Sequence, residues 1–267
     1  AAMLISRLQY YSLSIPTLLR GFRNWPKLAT LFARSPRVEP VVLRLNNGLV
    51  FKVRTLMDAW IIKETCLDEQ YEQASTKLAN GWIVIDIGAG LGDFTISVAK
   101  KYPQSSVYAY EPFPESFTLL RENLKLNNIQ NVQAFPYAIG SHEGTLPLRF
   151  TSKEAVQHTT TPLNQEDDFL EVQSITLERI FSQFQLAFCH YLKMDCEGAE
   201  YDIFLNANVK VVQKIQHICL EYHDGIAEFS HADLVTFFER HGFQVKLTPN
   251  PVHTNLGYLY AANLAYK

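Results

Sequence analysis

Val84-Ile85-Asp86-Ile87-Gly88-Ala89-Gly90-Leu91-Gly92-Asp93-Phe94-Thr95 is the stretch that decides the fold. It runs from β-branched apolar residues through one acid into three glycines at alternate positions, and residues 93–101 then carry helical spacing. A strand, a glycine turn and a helix N-terminus in that order make a cradle for a nucleotide or nucleoside, because only glycine lets a ligand approach the backbone so closely.

The spacing excludes two common ligands. A dinucleotide fingerprint needs glycine at position 93, where Asp93 stands and would oppose a pyrophosphate. No GxxxxGK[ST] is present, so the chain has no P-loop. What remains is Asp86 before the turn, Asp93 after it and Glu111 at the end of the next apolar run. That set suits a ligand with positive charge, no phosphates and a ribose diol. S-adenosylmethionine fits: its ammonium and sulfonium favour nearby carboxylates, and its ribose hydroxyls match a bidentate acceptor such as Glu111. An ordinary tight turn holding no ligand is the bland reading of the glycines. Against it, Asp86, the glycines and Glu111 fall where a doubly wound sheet would need them.

Outward from this stretch, short β-rich runs alternate with helical patterns. Strands are expected at Ile83–Ile87, Val107–Tyr110, Val132–Phe135, His190–Met194 and Ile215–Tyr222, and helices near 93–101, 114–127, 200–206 and 231–241. That rhythm implies βαβ units and a parallel sheet covered on both faces. Gln244–Thr248 and Tyr258–Ala262 are expected to close the sheet as an antiparallel pair, and Ser230-x-x-Asp233 reads as a capping box. Ser141 to Gln173 reads as a polar insert at the carboxyl edge, where substrate loops sit; His158 with its neighbouring threonines is a substrate contact or a solvated loop.

Before the sheet, Asn46-Asn47-Gly48 between Val41–Leu45 and Leu49–Arg54 predicts a hairpin, with helical patterns at 58–67 and 70–79. Residues 3–37 mix apolar and basic side chains, cut by Pro16, Pro26 and Pro36 into short helices. The chain is therefore expected to divide into residues 1–80, an N-terminal helical arm with hairpin and helices acting as a lid, and residues 81–267, the cofactor-binding domain.

The 267 residues, 47% of them apolar, can bury one sizeable core. Six basic residues and no acid precede Glu39, so that segment carries +6 in a chain whose total is −3, and the remainder carries −9. The acidic body argues against nucleic acid as a partner. The basic arm can rest on an anionic bilayer as a peripheral contact, or pack as a lid or dimer element on the acidic body; the prolines favour packing. The four cysteines lack CxxC spacing and read as reduced thiols, which together with the absence of a spanning segment makes the cytoplasm the expected location.

DIGAGLGDFT, YEPFPESFTLLRENLKLNN, AIG and LKMDCEGAEYDIF together resemble the FkbM-type family of S-adenosylmethionine-dependent methyltransferases over about Asp58 to Tyr222. The resemblance implies a class I methyltransferase (Rossmann-like) fold of seven strands with a reversed last strand, and methylation of a hydroxyl oxygen on a small-molecule, sugar or glycan-type acceptor. It assigns Asp86, Gly88, Ala89, Gly90, Gly92 and Asp93 to the cofactor loop, Glu111 and Pro112 to the ribose strand end, and Ala138 and Ile139 to the adenine neighbourhood. Glu64 and Tyr71 resemble positions that close over the cofactor. The family more often has GANIG where this chain has Gly88-Ala89-Gly90-Leu91-Gly92, and the smaller residue still permits backbone approach.

Methyl transfer is an in-line displacement, so the acceptor oxygen needs positioning and loss of its proton. Candidates end the fourth and fifth strands. His223 is the first expectation for the general base. Asp195 stands beside the transferring methyl as orienting acceptor or alternative base and as a cofactor contact; Glu221 is a further catalytic candidate on the same side of its strand as His223, and Glu197 and Glu200 rank below. A divalent metal on Asp195, Glu197, Glu221 and His223 is the alternative, not favoured because no close ligand spacing demands it. N-methylation, nucleic-acid methylation and a non-catalytic cofactor-binding module are the rival functions, and a homodimer is left open.

Overall fold

The computed structural model describes residues 14–32, 40–150, 158–159 and 168–266. The N-terminal part holds two short helices, α1 (14–21) and α2 (Pro26–Phe32), then a hairpin of β1 (Val41–Arg44) and β2 (Val50–Val53). Next come α3 (Leu56–Ile62), running on into a π-helical turn at Lys63–Leu67, and α4 (Gln70–Ala74). Thr55 and Asp58 form a capping box that starts α3.

The body is a seven-stranded sheet. Its parallel strands are β3 (Ile83–Ile87), β4 (Ser106–Tyr110) and β5 (Val132–Phe135), and, after the insert of β6 (Ala138–Ile139), β7 (Gly144–Phe150), β8 (His158–Thr159) and β9 (Asp168–Ile175), β10 (Cys189–Met194) and β11 (Ile215–His223). β12 (Phe243–Pro249) and β13 (Leu256–Asn263) complete it in the order β5-β4-β3-β10-β11-β13-β12, with β13 antiparallel to both neighbours. This is the doubly wound class I methyltransferase sheet with a reversed last strand. The apolar run of β3 lies in its middle, where both faces are covered, so Val84 to Ile87 are all buried without alternation.

Helices α5 (Asp93–Lys101), α6 (Pro114–Leu126), α7 (Leu177–Gln183), α8 (Glu200–Asn206), α9 (Val209–Val212) and α10 (His231–Arg240) connect or flank the strands. The sequence missed α7 and α9, the latter a four-residue helix too short to show a period.

The expectation of a loop-like polar insert needs correction. Its described residues build a second sheet in the order β6-β9-β7-β8, because Leu146 and Leu148 pair across from Val172 and Leu170 and pack with Phe113 and Ala138. Gln157, Thr160, Thr161, Glu166 and Asp167, within the proposed substrate loop, lie outside the described residues.

The N-terminal part and the sheet body share a core. Phe22, Leu28 and Leu31 are buried with Leu43, Phe51 and Ile62 of the N-terminal part and with Leu91, Ile96 and Leu119 of the body. The hairpin is fastened by two asparagines one turn apart on and just after α6. Asn123 accepts from Lys52 N at 2.7 Å and donates to Leu91 O at 2.9 Å, and Asn127 accepts from Val50 N at 2.9 Å. These side chains satisfy backbone groups that the edge strand β2 would otherwise leave open. On the arm's other side Ile15, Leu19 and Trp25 are exposed. Arg7, Arg34 and Arg37 lie outside the described residues, among which no helix is long and apolar enough to cross a membrane.

Candidate active site

The carboxyl ends of β3, β4, β10 and β11 open into one cavity, which Arg54, Asp58, Glu64 and Tyr71 of the N-terminal part also line. At its floor the glycine loop turns back on the sheet. Gly88 has φ +72°, and a Cβ there would sit 1.8 Å from the carbonyl oxygen of Asp195, so the two strand ends can close only over glycine. Gly90 has φ +55° and nearly empty space where a Cβ would be, its nearest neighbour being Asp93 Oδ1 at 3.9 Å. Gly88 is thus a packing glycine, whereas Gly90 keeps the cavity floor open.

Glu111 lies across the loop. One carboxylate oxygen accepts from Gly90 N at 2.7 Å and the other from Phe113 N at 2.8 Å. Burial pushes its pKa up to about 7, against the pull of those two N–H groups. Asp93, in the first turn of α5, is likewise pushed up, to about 6, chiefly by burial.

Beneath the loop, Asp86 accepts from Thr95 Oγ1 at 2.6 Å and pairs with Lys193 Nζ at 3.1 Å. Lys193 also donates to Gly88 O at 2.7 Å, and its ammonium lies 5.4 Å from the Tyr71 ring centre. Burial opposes the Lys193 charge, but Asp86, Asp195 and Asp93 outweigh it and hold the group protonated. Sequence reasoning passed over this lysine, although a charged residue inside the apolar end of β10 was the signal to find it.

The opposite wall is acidic. Asp195, Glu197 and Glu221 line it, and Tyr71 Oη donates to Asp195 Oδ2 at 3.3 Å. Burial, reinforced for Glu221 by Asp195, pushes Glu197 up to about 7 and Glu221 up to about 8.

His223 is not among the cavity-lining residues. It is buried behind that wall, with Nδ1 3.1 Å from Glu200 Oε1, and Nε2 3.4 Å from Glu197 and 3.9 Å from Asp195. Burial lowers its pKa, but Glu200, Glu197 and Asp195 override this and push it up to about 10. For His223, expected as the general base, the surroundings are these: one nitrogen is spent on Glu200, and the ring sits in a cage that favours a cation.

Of the other expected residues, Glu64, Gly88, Gly90, Asp93, Glu111, Pro112, Ala138 and Ile139 line the cavity. Asp86, Ala89 and Gly92 do not, and act from below by shaping the loop. Arg54, Asp58, Ser116 and Tyr258 also line it and were not foreseen; Arg54 is bonded to Asp58 at 3.3 Å and to Ser116 at 3.3 Å.

Seven carboxylates, on Asp58, Glu64, Asp93, Glu111, Asp195, Glu197 and Glu221, face this cavity against two cations, Arg54 and Lys193, that already have acidic partners. That balance, with an open glycine floor beside Glu111, fits a cationic nucleoside and opposes a phosphate-bearing one. The residues present fit S-adenosylmethionine.

A family model described as the methyltransferase FkbM domain matches residues 86–245. Methyltransferase 1 of Beauveria bassiana is 28% identical over 205 residues, covering 70% of this chain and 81% of that protein. The 31-O-demethyl-FK506 methyltransferase FkbM of Streptomyces tacrolimicus is 22% identical over 240 residues, covering 79% and 91%. Among solved structures, a Streptococcus mutans methyltransferase in complex with SAH aligns with a TM-score of 0.48 at 15% identity, covering 74% of this chain and 98% of that one.

Proposed function

This chain belongs to the FkbM methyltransferase family, and from that premise we propose that it transfers a methyl group from S-adenosylmethionine to a hydroxyl oxygen of a small-molecule or sugar-type acceptor. The observation that carries this reading is the single cavity whose floor is the glycine loop with Glu111 and whose facing wall is Asp195, Glu197 and Glu221. The cofactor supplies an activated methyl group on a sulfonium. Gly88, Gly90, Glu111, Ala138 and Ile139 would hold its nucleoside end, and Asp93 and Asp195 its cationic end.

Lys193 fixes the geometry of both ends, since one ammonium ties Gly88 O to Asp86 beneath the wall that Asp195 begins. Asp195, with Tyr71 bonded to it, orients the acceptor hydroxyl in line with the methyl group. Glu221 takes the hydroxyl proton; the oxygen lone pair then forms the new bond to carbon as the carbon–sulfur pair leaves with sulfur. His223 and Glu200 serve from behind by holding Asp195 and Glu197 in place.

An acidic wall suits proton removal from an alcohol and repels a phosphodiester. Relatives named for tRNA substrates match over 43% of the chain, which makes nucleic acid the rival to test. The experiment supplies 13C-methyl cofactor to a panel of macrolide and sugar alcohols, and separately to total tRNA, with the product read by NMR. A methoxy signal from an alcohol is expected, with Glu221→Gln lowering kcat by about 100-fold while affinity for S-adenosylhomocysteine holds. Label on nitrogen or in tRNA, with none on any alcohol, would overturn the reading.

A further inference from the structure

We infer that the outer face of α1, together with Trp25 and the basic residues around it, is a docking surface for an anionic lipid bilayer. The helix has two unlike faces. Ser14, Leu18 and Gly21 turn inward: Ser14 Oγ accepts from Lys63 Nζ at 2.8 Å, Leu18 packs on the core under the hairpin, and Leu67 fills the space that a Cβ at Gly21 would need. Ile15 and Leu19, one turn apart, face outward and are 54% and 44% exposed, and Trp25, in the turn before α2, is 49% exposed. Three of the ten large apolar side chains exposed among the described residues thus fall within residues 15–25, while Phe22 between them is buried. Single exposed apolar residues need no explanation, but a concentration of them marks an interaction surface.

Charge decides what covers it. One acid, Glu39, stands among the first 57 residues, against nine lysines and arginines. Arg20 follows Leu19 on the outer face, Arg23 and Lys27 flank Trp25, and Arg44 lies beside Arg23, whose N–H donates to its carbonyl at 2.7 Å; all four side chains are exposed. The ion pairs of the N-terminal part run from Lys52, Arg54 and Lys63, so among the described residues these four cations have no acidic partner. Apolar side chains set among unpaired cations match a bilayer with anionic headgroups, whose acyl boundary takes Ile, Leu and Trp while its phosphates take Arg and Lys. A nucleic acid would satisfy the cations and leave the three apolar residues in water.

The inner face fixes where the bilayer stands relative to the cavity. α1 rests on the π-helical turn Lys63–Leu67, whose Glu64 and Thr65 line the cavity, so the surface and the cavity are built on the same turn. Docking through the outer face would hold that wall beside the lipid headgroups.

The test is flotation of the full chain with vesicles of phosphatidylcholine alone and of phosphatidylcholine mixed equally with phosphatidylglycerol, together with quenching of tryptophan fluorescence by brominated acyl chains in the mixed vesicles. Binding to the mixed vesicles that weakens as salt rises is expected, with little binding to the neutral ones. Leu19→Ala combined with Trp25→Ala, and separately Arg20→Gln combined with Arg23→Gln and Lys27→Gln, should each weaken binding by at least about tenfold. Trp25→Phe should remove the bromolipid quenching while binding stays within about threefold. All of these side chains are exposed, so the urea midpoints should stay at the wild-type value. No binding to the mixed vesicles, equal binding to the neutral ones, or binding indifferent to both sets of substitutions would overturn the inference. Self-association that Leu19→Ala with Trp25→Ala abolishes, without vesicle binding, would give the surface to a second copy of the chain instead. None of these readouts requires methyl transfer, so their outcome is separate from that of the activity proposed above.

Discussion

The two halves of the cavity are built in opposite ways. The half that the proposed reading gives to the cofactor is backbone: Gly88 and Gly90 at positive φ, with their N–H groups and one carbonyl tied to Tyr110, Glu111 and Lys193. The half it gives to the acceptor is side chain, with Asp195, Glu197 and Glu200 crowded around His223 and Glu221 on the same wall. Steric rules fix the first half locally, residue by residue. The second depends on which side chains from β10, the turn after it and β11 meet, and on how their charges compensate. Substitutions on the cofactor side should therefore act through folding and shape, and those on the acceptor side through charge.

The largest effect expected is at Gly88. Gly88→Ala places a Cβ 1.8 Å from the Asp195 carbonyl in a left-handed conformation, which forces β3 and β10 apart. The cost should exceed about 4 kcal/mol, in the range that marks a backbone clash. Gly90→Ala has no such neighbour and should cost only about 1 to 2 kcal/mol of left-handed strain. Urea unfolding of the two variants measures the difference, and equal losses would break the division of the loop into a packing glycine and a floor glycine.

Lys193 joins the halves, and Lys193→Met would sharpen the contrast. It strands Asp86, fully buried, without its cation, at a cost of about 3 to 5 kcal/mol. Replacing both partners, as in Lys193→Met with Asp86→Leu, should recover part of that loss, because the uncompensated charge is then gone. Thermal and urea unfolding of the single and double variants test this. No recovery would mean that Lys193 matters for its bond to Gly88 O rather than for its charge.

The same contrast decides what could be read from the sequence. The β3 boundaries, the glycine turn, α5, the capping box at Ser230 and the reversed β13 were legible because each rests on a local rule of period, cap or turn. The strand ends that carry Asp195 and Glu221 were legible for the same reason. The setting of His223 was not, since its burial and its bond to Glu200 are products of packing between α8 and β11 that no spacing reveals. Arg54 and Tyr258 reach the cavity from the end of the hairpin and from β13, distant in the chain, and were invisible for that reason. The second sheet was hidden by the polar composition of the insert, although Leu146, Leu148, Leu170 and Val172 already alternate.

A smaller effect is expected at Glu111, whose carboxylate is the one charged group in the backbone-built half that meets the ribose in the reading above. Glu111→Gln keeps the shape and removes the charge, and should weaken S-adenosylhomocysteine by about 1 to 3 kcal/mol in calorimetry. A change under twofold would show that the glycine loop alone holds the nucleoside.

The smallest effect, and the one that separates shape from charge within the cofactor half, is the pH dependence of that same carboxylate. Burial raises Glu111 from its usual 4.5 to about 7 in the free protein, so between those values the folded chain holds a proton that the unfolded chain has released. Stability from this group is fully present below about 4.5 and is lost as pH rises through about 7. Cofactor binding runs the other way, because the ionised carboxylate is the better acceptor for ribose hydroxyls, so affinity should climb as pH rises through about 7. Glu197 and Glu221 are raised as well and add to the stability slope with the same sign. The Glu111→Gln variant isolates the share of Glu111: relative to wild type, its stability should fall less steeply between pH 5 and 8, and its S-adenosylhomocysteine affinity should be nearly flat over that window. Parallel pH slopes for wild type and Glu111→Gln in both measurements would mean that Glu111 is already ionised in the free protein, held so by the Gly90 and Phe113 N–H groups.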